Sequence, residues 1–202
     1  VWNIPLRDEV VPGTTVGLPR GGYLVPQAQA VAVAKHLLAH GIQFRVLTAP
    51  LRDDRAQAFV ADRVQFASAS VEGHQRTTLK GAWKPQSAQV AAGGLYVPIA
   101  QPKARLLANI LEPQAPDSMA AWGDFNNAFE QKEYMEGYVA EEEARKMLAR
   151  DPALKAEFER RLKDDPAFAG SPGARLDFFY RRHPAWDPGT NRYPVMRTDR
   201  VY

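Results

Sequence analysis

The chain has 202 residues, of which 45% are hydrophobic and 24% charged, a composition typical of a globular protein with one or two domains. Charged residues interrupt every apolar run before the roughly 20 residues of a membrane helix, and the net charge of +3 is not gathered into basic runs, so we expect neither a transmembrane segment nor a nucleic-acid partner. The absence of cysteine excludes disulfides, thiolate zinc sites and a cysteine nucleophile.

The first half of the chain alternates between strand and helix patterns. Residues 21–26 predict a buried strand, residues 27–40 a helix that ends before Gly41, and residues 42–47 a second strand. A helix that crosses between parallel strands covers one face of a sheet, and we expect that arrangement here.

The following segments predict antiparallel strands and one further helix. Residues 59–66 and 75–83 alternate apolar and polar side chains, with turn residues between them. A short apolar run predicts a strand at 95–99, and apolar side chains at helical spacing predict a helix over 101–111.

The second half has mainly helical patterns. Residues 117–118 can cap a helix that runs through Phe125, and a longer helix is expected over 131–150. Asp151 and Asp165 each precede a proline, so both are predicted N-caps of further helices.

The segment from residue 171 onward combines prolines and glycines with aromatic side chains, so we expect an irregular tail with aromatic anchors rather than another helix. The predicted fold class is therefore α+β. A small mixed β-sheet with flanking helices should occupy residues 1–116, and a mainly helical part, which ends in the aromatic tail, should occupy 117–202 and pack on the first domain.

The histidines and serines do not complete a catalytic motif. His36 and His40 have the i, i+4 spacing that could present two imidazoles to a metal, but no Glu lies between them, and His40 beside Gly41 also suits the negative end of a helix. No serine lies in a Gly-x-Ser-x-Gly motif. The sequence therefore assigns no catalytic and no metal-binding residue.

A run of glutamates offers an alternative interpretation. Glu130, Glu133 and Glu136 follow one another at three-residue steps, and close carboxylates could share a proton or bind a cation. Solvated helix faces routinely carry the same pattern, and we favour that interpretation. An independent hydrolytic site formed by Glu130, Glu133 and His183 stays open as a third hypothesis.

Five side chains are the candidate binding residues: Trp122, Tyr180, Arg181, His183 and Trp186. Arg offers a planar pair of donors for a carboxylate, and Trp offers a large rigid contact surface. The aromatic side chains of the tail could equally hold it against the helices, and we favour anchoring for them.

Several segments, spread in order over most of the chain, have a distinctive sequence: residues 22–26, 71–74, 95–102, 111–113 with 117–118, 122–134 and 178–184. Together these segments resemble the region that follows the catalytic domain in large bacterial peptidases of the carboxypeptidase A-like zinc family. The start at Val1 rather than Met agrees with a part of a longer protein.

The resemblance implies a role without supplying a site. In that family a zinc-bound water attacks a C-terminal peptide bond, and a His-x-x-Glu pair with a later His holds the zinc. None of the four histidines here is followed at the third position by Glu. The resemblance therefore implies zinc in a parent catalytic domain and no cofactor in this chain.

The leading hypothesis is a noncatalytic accessory C-terminal module whose partner is an upstream peptidase domain, with a peptide substrate as a second partner. The resemblance also implies a periplasmic or secreted location. The alternative is a stand-alone module that binds peptide or cell-wall material through Trp122, Tyr180, Arg181 and Trp186.

Overall fold

The computed structural model describes residues 2–6, 8–9, 11–130 and 134–202 and has the α+β fold that the sequence predicts. The strands are β1 (Gly22–Val25), β2 (Arg45–Val46), β3 (Leu51–Asp53), β4 (Gln57–Phe66), β5 (Thr77–Pro85), β6 (Ala88–Val90), β7 (Leu95–Pro98) and β8 (Arg192–Thr198). The helices are α1 (Gln27–Ala39), α2 (Ala104–Leu111), α3 (Gly137–Arg150), α4 (Pro152–Asp164), α5 (Pro166–Gly170) and α6 (Pro172–Tyr180), with a 3-10 helix at Asn126–Ala128. Within the described ranges, no helix has the length and apolar character needed to span a membrane.

The chain divides into two compact units. The sheet unit comprises Val1–Glu130 together with Asn191–Tyr202, and the helical unit comprises Gln131–Thr190. The sequence placed the division at residue 116 instead. Residues 117–130 belong with the sheet because their buried apolar side chains are part of its core, and β8 returns the C-terminal residues to the same sheet.

Six strands of the sheet unit form one antiparallel sheet in the order β2-β7-β1-β8-β4-β5. β7 pairs antiparallel with both β1 and β2, so β1 and β2 run parallel to each other but are not neighbours. The helix α1 is thus the expected crossover between parallel strands, with β7 inserted between them. The predicted antiparallel pairing of β4 with β5 is confirmed, with an irregularity between Ala61 and Arg63.

Apolar side chains cover both faces of this sheet. Along β1, Tyr23 and Val25 pack in the cluster that holds the buried side chains of α1 and α2, whereas Leu24 packs in the cluster of the β3-β6 pair. Successive strand residues point to opposite faces, which is why β1 reads as a continuous apolar run. Fully burying one such side chain stabilises the fold by about 1.5–3 kcal/mol.

A buried ion pair lies within the sheet unit. Arg197 Nε donates to Glu112 Oε1 at 2.8 Å, a second guanidinium nitrogen bonds Glu112 Oε2, and the two side chains are only 9% and 2% exposed. The Tyr23 hydroxyl donates to Glu112 Oε1 at 2.6 Å, and the guanidinium carbon lies 4.1 Å from the Trp83 ring centre. Burial and the Glu112 charge hold the pKa of Tyr23 well above its ordinary value.

Each of the last three helices begins with a side-chain cap followed by proline. The Asp151 carboxylate accepts from the Leu154 N–H at 2.9 Å, and Asp165 and Ser171 make the equivalent bonds at the starts of α5 and α6. Such a cap is worth about 1 kcal/mol. Both predicted Asp caps are confirmed.

Two predictions for the second half are wrong. Residues 117–125 form turns rather than a helix, because Gly123 has a φ of 88°, outside the helical region. The segment after residue 171 is not irregular throughout, since Ser171 caps α6 and residues 192–198 form β8. Proline is unusual inside a strand, but Pro194 lies where the pairing of β8 with β4 shifts register.

Asp53 is a second buried charge. The Thr198 hydroxyl donates to Asp53 Oδ2, and the Arg55 N–H donates to Oδ1 at 2.9 Å. Burial alone would raise the pKa of this carboxyl. The two hydrogen bonds, together with Arg200 Nε at 3.9 Å from Asp53 Oδ1, instead hold the pKa below its ordinary value. Folding therefore favours the ionised form of Asp53.

Replacement of Thr198 by valine should lower the free energy of unfolding by about 1–3 kcal/mol at pH 7, because the buried carboxylate loses a donor. A depressed folded-state pKa contributes stability above the unfolded pKa, and this contribution disappears as the pH falls through the folded pKa. The difference in free energy of unfolding between wild type and variant should thus shrink below about pH 4. Urea unfolding at pH 7 and pH 3 measures this difference. An equal difference at both pH values would contradict the role of Asp53.

Candidate functional site

The sheet unit contains a pocket of about 360 Å³ that gathers imidazoles and carboxylates from distant parts of the sequence. Its polar lining consists of His36, His40, Glu72, His74, Asn109, Asp117 and Asp124. Trp122 forms a further part of the wall, and Leu106, Ile110 and Met119 supply apolar surface. This size and this mixture of apolar surface with a few polar groups are typical of small-ligand sites.

The end of α1 supplies two of the imidazoles. Ala30, Val33 and Leu37 bury the other side of this helix, which leaves His36 and His40 to line the pocket. The pair predicted to share a helix face therefore does border one cavity. Among the residues that the structure describes, no group of three or more His, Asp or Glu side chains is placed to hold a metal ion.

A tight turn presents Glu72 and His74. The main chains of Val71 and His74 exchange two N–H to carbonyl hydrogen bonds of 2.9 Å, and the φ angles of Glu72 and Gly73 are 53° and 82°. Two successive left-handed residues are the geometry of a type I′ turn. Glu72 is not glycine, so its conformation costs about 1–3 kcal/mol, which the surrounding fold must offset.

A compact loop presents Trp122 and the two aspartates. The fully buried Ser118 accepts from the Ala121 N–H through Oγ at 3.1 Å and from the Trp122 N–H through its carbonyl at 2.9 Å. The Asp124 N–H donates to the Met119 carbonyl at 3.0 Å. These bonds fix the main chain on both sides of the indole.

Gly123 holds this loop against the start of β5. A Cβ at this position would lie 2.4 Å from the Gln75 carbonyl oxygen, so only glycine permits the approach. The Asn126 side chain donates to the same oxygen at 2.9 Å, and the Thr77 N–H donates to the Ala121 carbonyl at 3.0 Å. The walls carrying Trp122 and His74 are therefore tied together by main-chain contacts.

Trp122 is half-buried and held from several directions. Its indole N–H donates to Asp117 Oδ1 at 2.6 Å, and the His74 ring lies edge-on at 5.5 Å between ring centres. The guanidinium carbon of Arg76 lies 4.3 Å from the indole centre, and Arg76 also donates to the Pro116 carbonyl at 2.7 Å. These contacts together fix the orientation of the indole.

The other four candidate binding residues belong to the helical unit. Tyr180 is buried and lies edge-on to Trp186 at 5.1 Å between ring centres. Arg181 donates to Asp177 Oδ2 at 2.6 Å, and its guanidinium carbon lies 5.3 Å from the Trp186 ring centre. Tyr180, Arg181 and Trp186 are therefore engaged with one another.

Glu130 and His183, two residues of the third hypothesis, belong to different units. His183 Nε2 lies 3.6 Å from Glu143 Oε2, and its Nδ1 accepts from the Ala185 N–H at 3.1 Å. Glu130 belongs to the sheet unit, and Glu133 lies outside the described residues.

The sequence identified Trp122 but missed Glu72 and His74 as its neighbours, because no local spacing links residues about 50 positions apart. Asp124 was also missed, although it lies only two positions after Trp122. The turn chemistry at Glu72 was the one local signal. Comparison of the chain with protein-family models, with curated proteins and with solved structures gave no match.

Proposed function

We propose that the chain is a noncatalytic accessory module of a zinc-carboxypeptidase-like protein, which packs beside the peptidase domain and helps to shape or gate its substrate cleft. The observation that carries this proposal is the convergence of three segments that share the family resemblance. Residues 71–74, 117–118 and 122–124 come together at one pocket.

The polar residues of these segments support a contact role. Glu72, His74, Asp117 and Asp124 are exposed, and they surround a concave surface instead of filling the core. Exposed polar side chains on a rigid concave surface suit the recognition of a substrate or a neighbouring domain.

The first test is an activity assay of the purified chain. With added zinc and peptides that have free C-termini, we expect no release of C-terminal residues above background. Turnover that a chelator abolishes would contradict the noncatalytic role.

The second test measures association with a separately expressed upstream peptidase region by calorimetry. We expect micromolar-range binding that Trp122→Ala weakens about tenfold. The matched control is Trp186→Ala in the helical unit, which should bind like wild type. A well-folded chain that does not associate with the peptidase region would contradict the proposal.

A second candidate function is a stand-alone peptide-binding module. Trp122 favours it, because this indole borders an open cavity while Trp186 is engaged with Tyr180 and Arg181. Binding of peptide by the isolated chain, lost in Trp122→Ala and retained in Trp186→Ala, would support this candidate.

A further inference from the structure

We infer that the pocket beside Trp122 binds an organic cation, the ammonium or guanidinium group of a lysine-like or arginine-like side chain. This inference goes beyond the accessory role and does not require a peptidase partner. It is derived from the charges, the aromatic wall and the shape of the pocket.

The charge of the walls is the first argument. Glu72, Asp117 and Asp124 line the pocket, and the described lining contains no Lys or Arg. Arg76 and Lys103 lie beside the lining, and each donates to a main-chain carbonyl. A concave site lined by carboxylates concentrates a negative field.

The end of α1 adds to this potential. The last carbonyls of a helix carry partial negative charge, and the helix ends at the pocket with His40 as its C-cap residue. The Lys103 ammonium of the chain itself donates to the His40 carbonyl. This end of the helix therefore already accepts one ammonium group.

The aromatic wall is the second argument. The Arg76 guanidinium lies 4.3 Å from the centre of the Trp122 indole, so one face of the ring already holds a planar cation, and the same Trp122 side chain lines the pocket. The indole N–H is bonded to Asp117, so the ring has a fixed orientation before a ligand arrives. A fixed ring reduces the entropy lost on binding.

The shape of the cavity indicates a side chain rather than a bare ion. Leu106, Ile110 and Met119 provide apolar surface on which the methylene stem of a lysine or arginine could pack while its charged end reaches the carboxylates. The volume of about 360 Å³ accommodates such a side chain.

The test is a calorimetric titration of the full chain with Nα-acetyl-lysine methylamide and Nα-acetyl-arginine methylamide. The control ligand is Nα-acetyl-norleucine methylamide, which has the stem without the charge. We expect both cationic ligands to bind about tenfold or more tightly than the control. Butylammonium serves as a further arm: binding equal to that of the lysine ligand would identify the cation alone as the recognised group, and weaker binding would add the peptide backbone to it.

The charge of the walls is tested with the double variant Glu72→Gln with Asp124→Asn, since both side chains are exposed and their removal should leave the fold intact. We expect about a tenfold loss of affinity for the lysine ligand. The matched control is Glu130→Gln with Asp164→Asn, two exposed carboxylates outside the pocket lining, which should bind like wild type.

Three results would overturn the inference. They are equal binding of the norleucine and lysine ligands, unchanged affinity in the pocket variant, or a site that takes up zinc ions and ignores the organic cations. Any of these would leave the association with a peptidase region to be decided by its own measurement, so the two proposals can fail separately.

Discussion

Replacement of Arg197 by methionine should lower the free energy of unfolding by about 3–5 kcal/mol. The guanidinium is the charged partner of Glu112, and both side chains are almost completely removed from solvent. Methionine fills much of the same volume but leaves the carboxylate buried without a counter-charge. The Tyr23 hydroxyl continues to donate to Glu112, but a neutral donor does not replace a cation. Chemical denaturation at neutral pH measures the loss.

A second replacement separates the buried charge from lost packing. In the double variant Arg197→Met with Glu112→Gln, the amide oxygen can still accept from Tyr23 and no charge is left uncompensated. We therefore expect the double variant to be more stable than Arg197→Met alone. If the two replacements instead destabilise additively, the ion pair is not the reason that Arg197 matters.

Replacement of Gly123 by alanine should lower the free energy of unfolding by about 2–4 kcal/mol. The new Cβ would meet the Gln75 carbonyl at 2.4 Å, and the φ of 88° is unfavourable for any residue with a side chain. Because the same contact positions the loop that carries Trp122 and Asp124, affinity for the lysine ligand should fall as well. Thermal unfolding and calorimetric titration measure the two effects.

The matched control is Gly137→Ala at the start of α3, where an added Cβ has no atom within 4 Å. This variant should differ from wild type by less than about 1 kcal/mol and should bind the ligand normally. A Gly123→Ala protein with wild-type stability and affinity would show that the close approach to Gln75 is not what shapes the pocket.

The regular parts of the fold were predictable because their patterns are local. The apolar period of α1, the alternation in β4 and β5, and the Asp151 and Asp165 caps each lie within a few residues. Local patterns determine such elements whenever the surrounding fold agrees with them.

The two wrong predictions concern segments whose conformation depends on tertiary contacts more than on the local sequence pattern. The apolar spacing after Asp117 predicted a helix, but Gly123 allows the chain to turn against Gln75 instead. The prolines and glycines after residue 171 predicted an irregular tail, yet β8 lies between β1 and β4 with its pairing interrupted beside Pro194. The carboxylates and imidazoles of the pocket come from segments far apart in the sequence, so no local pattern could reveal their convergence.

If Trp122 borders a preformed ligand site, a ¹⁵N NMR titration with Nα-acetyl-lysine methylamide should detect binding at its indole. The indole N–H signals of Trp2, Trp83, Trp122 and Trp186 report on four separate places in the chain. We expect a saturable shift of the Trp122 signal with the other three unchanged. A shift at Trp83 or Trp186 with none at Trp122 would contradict it.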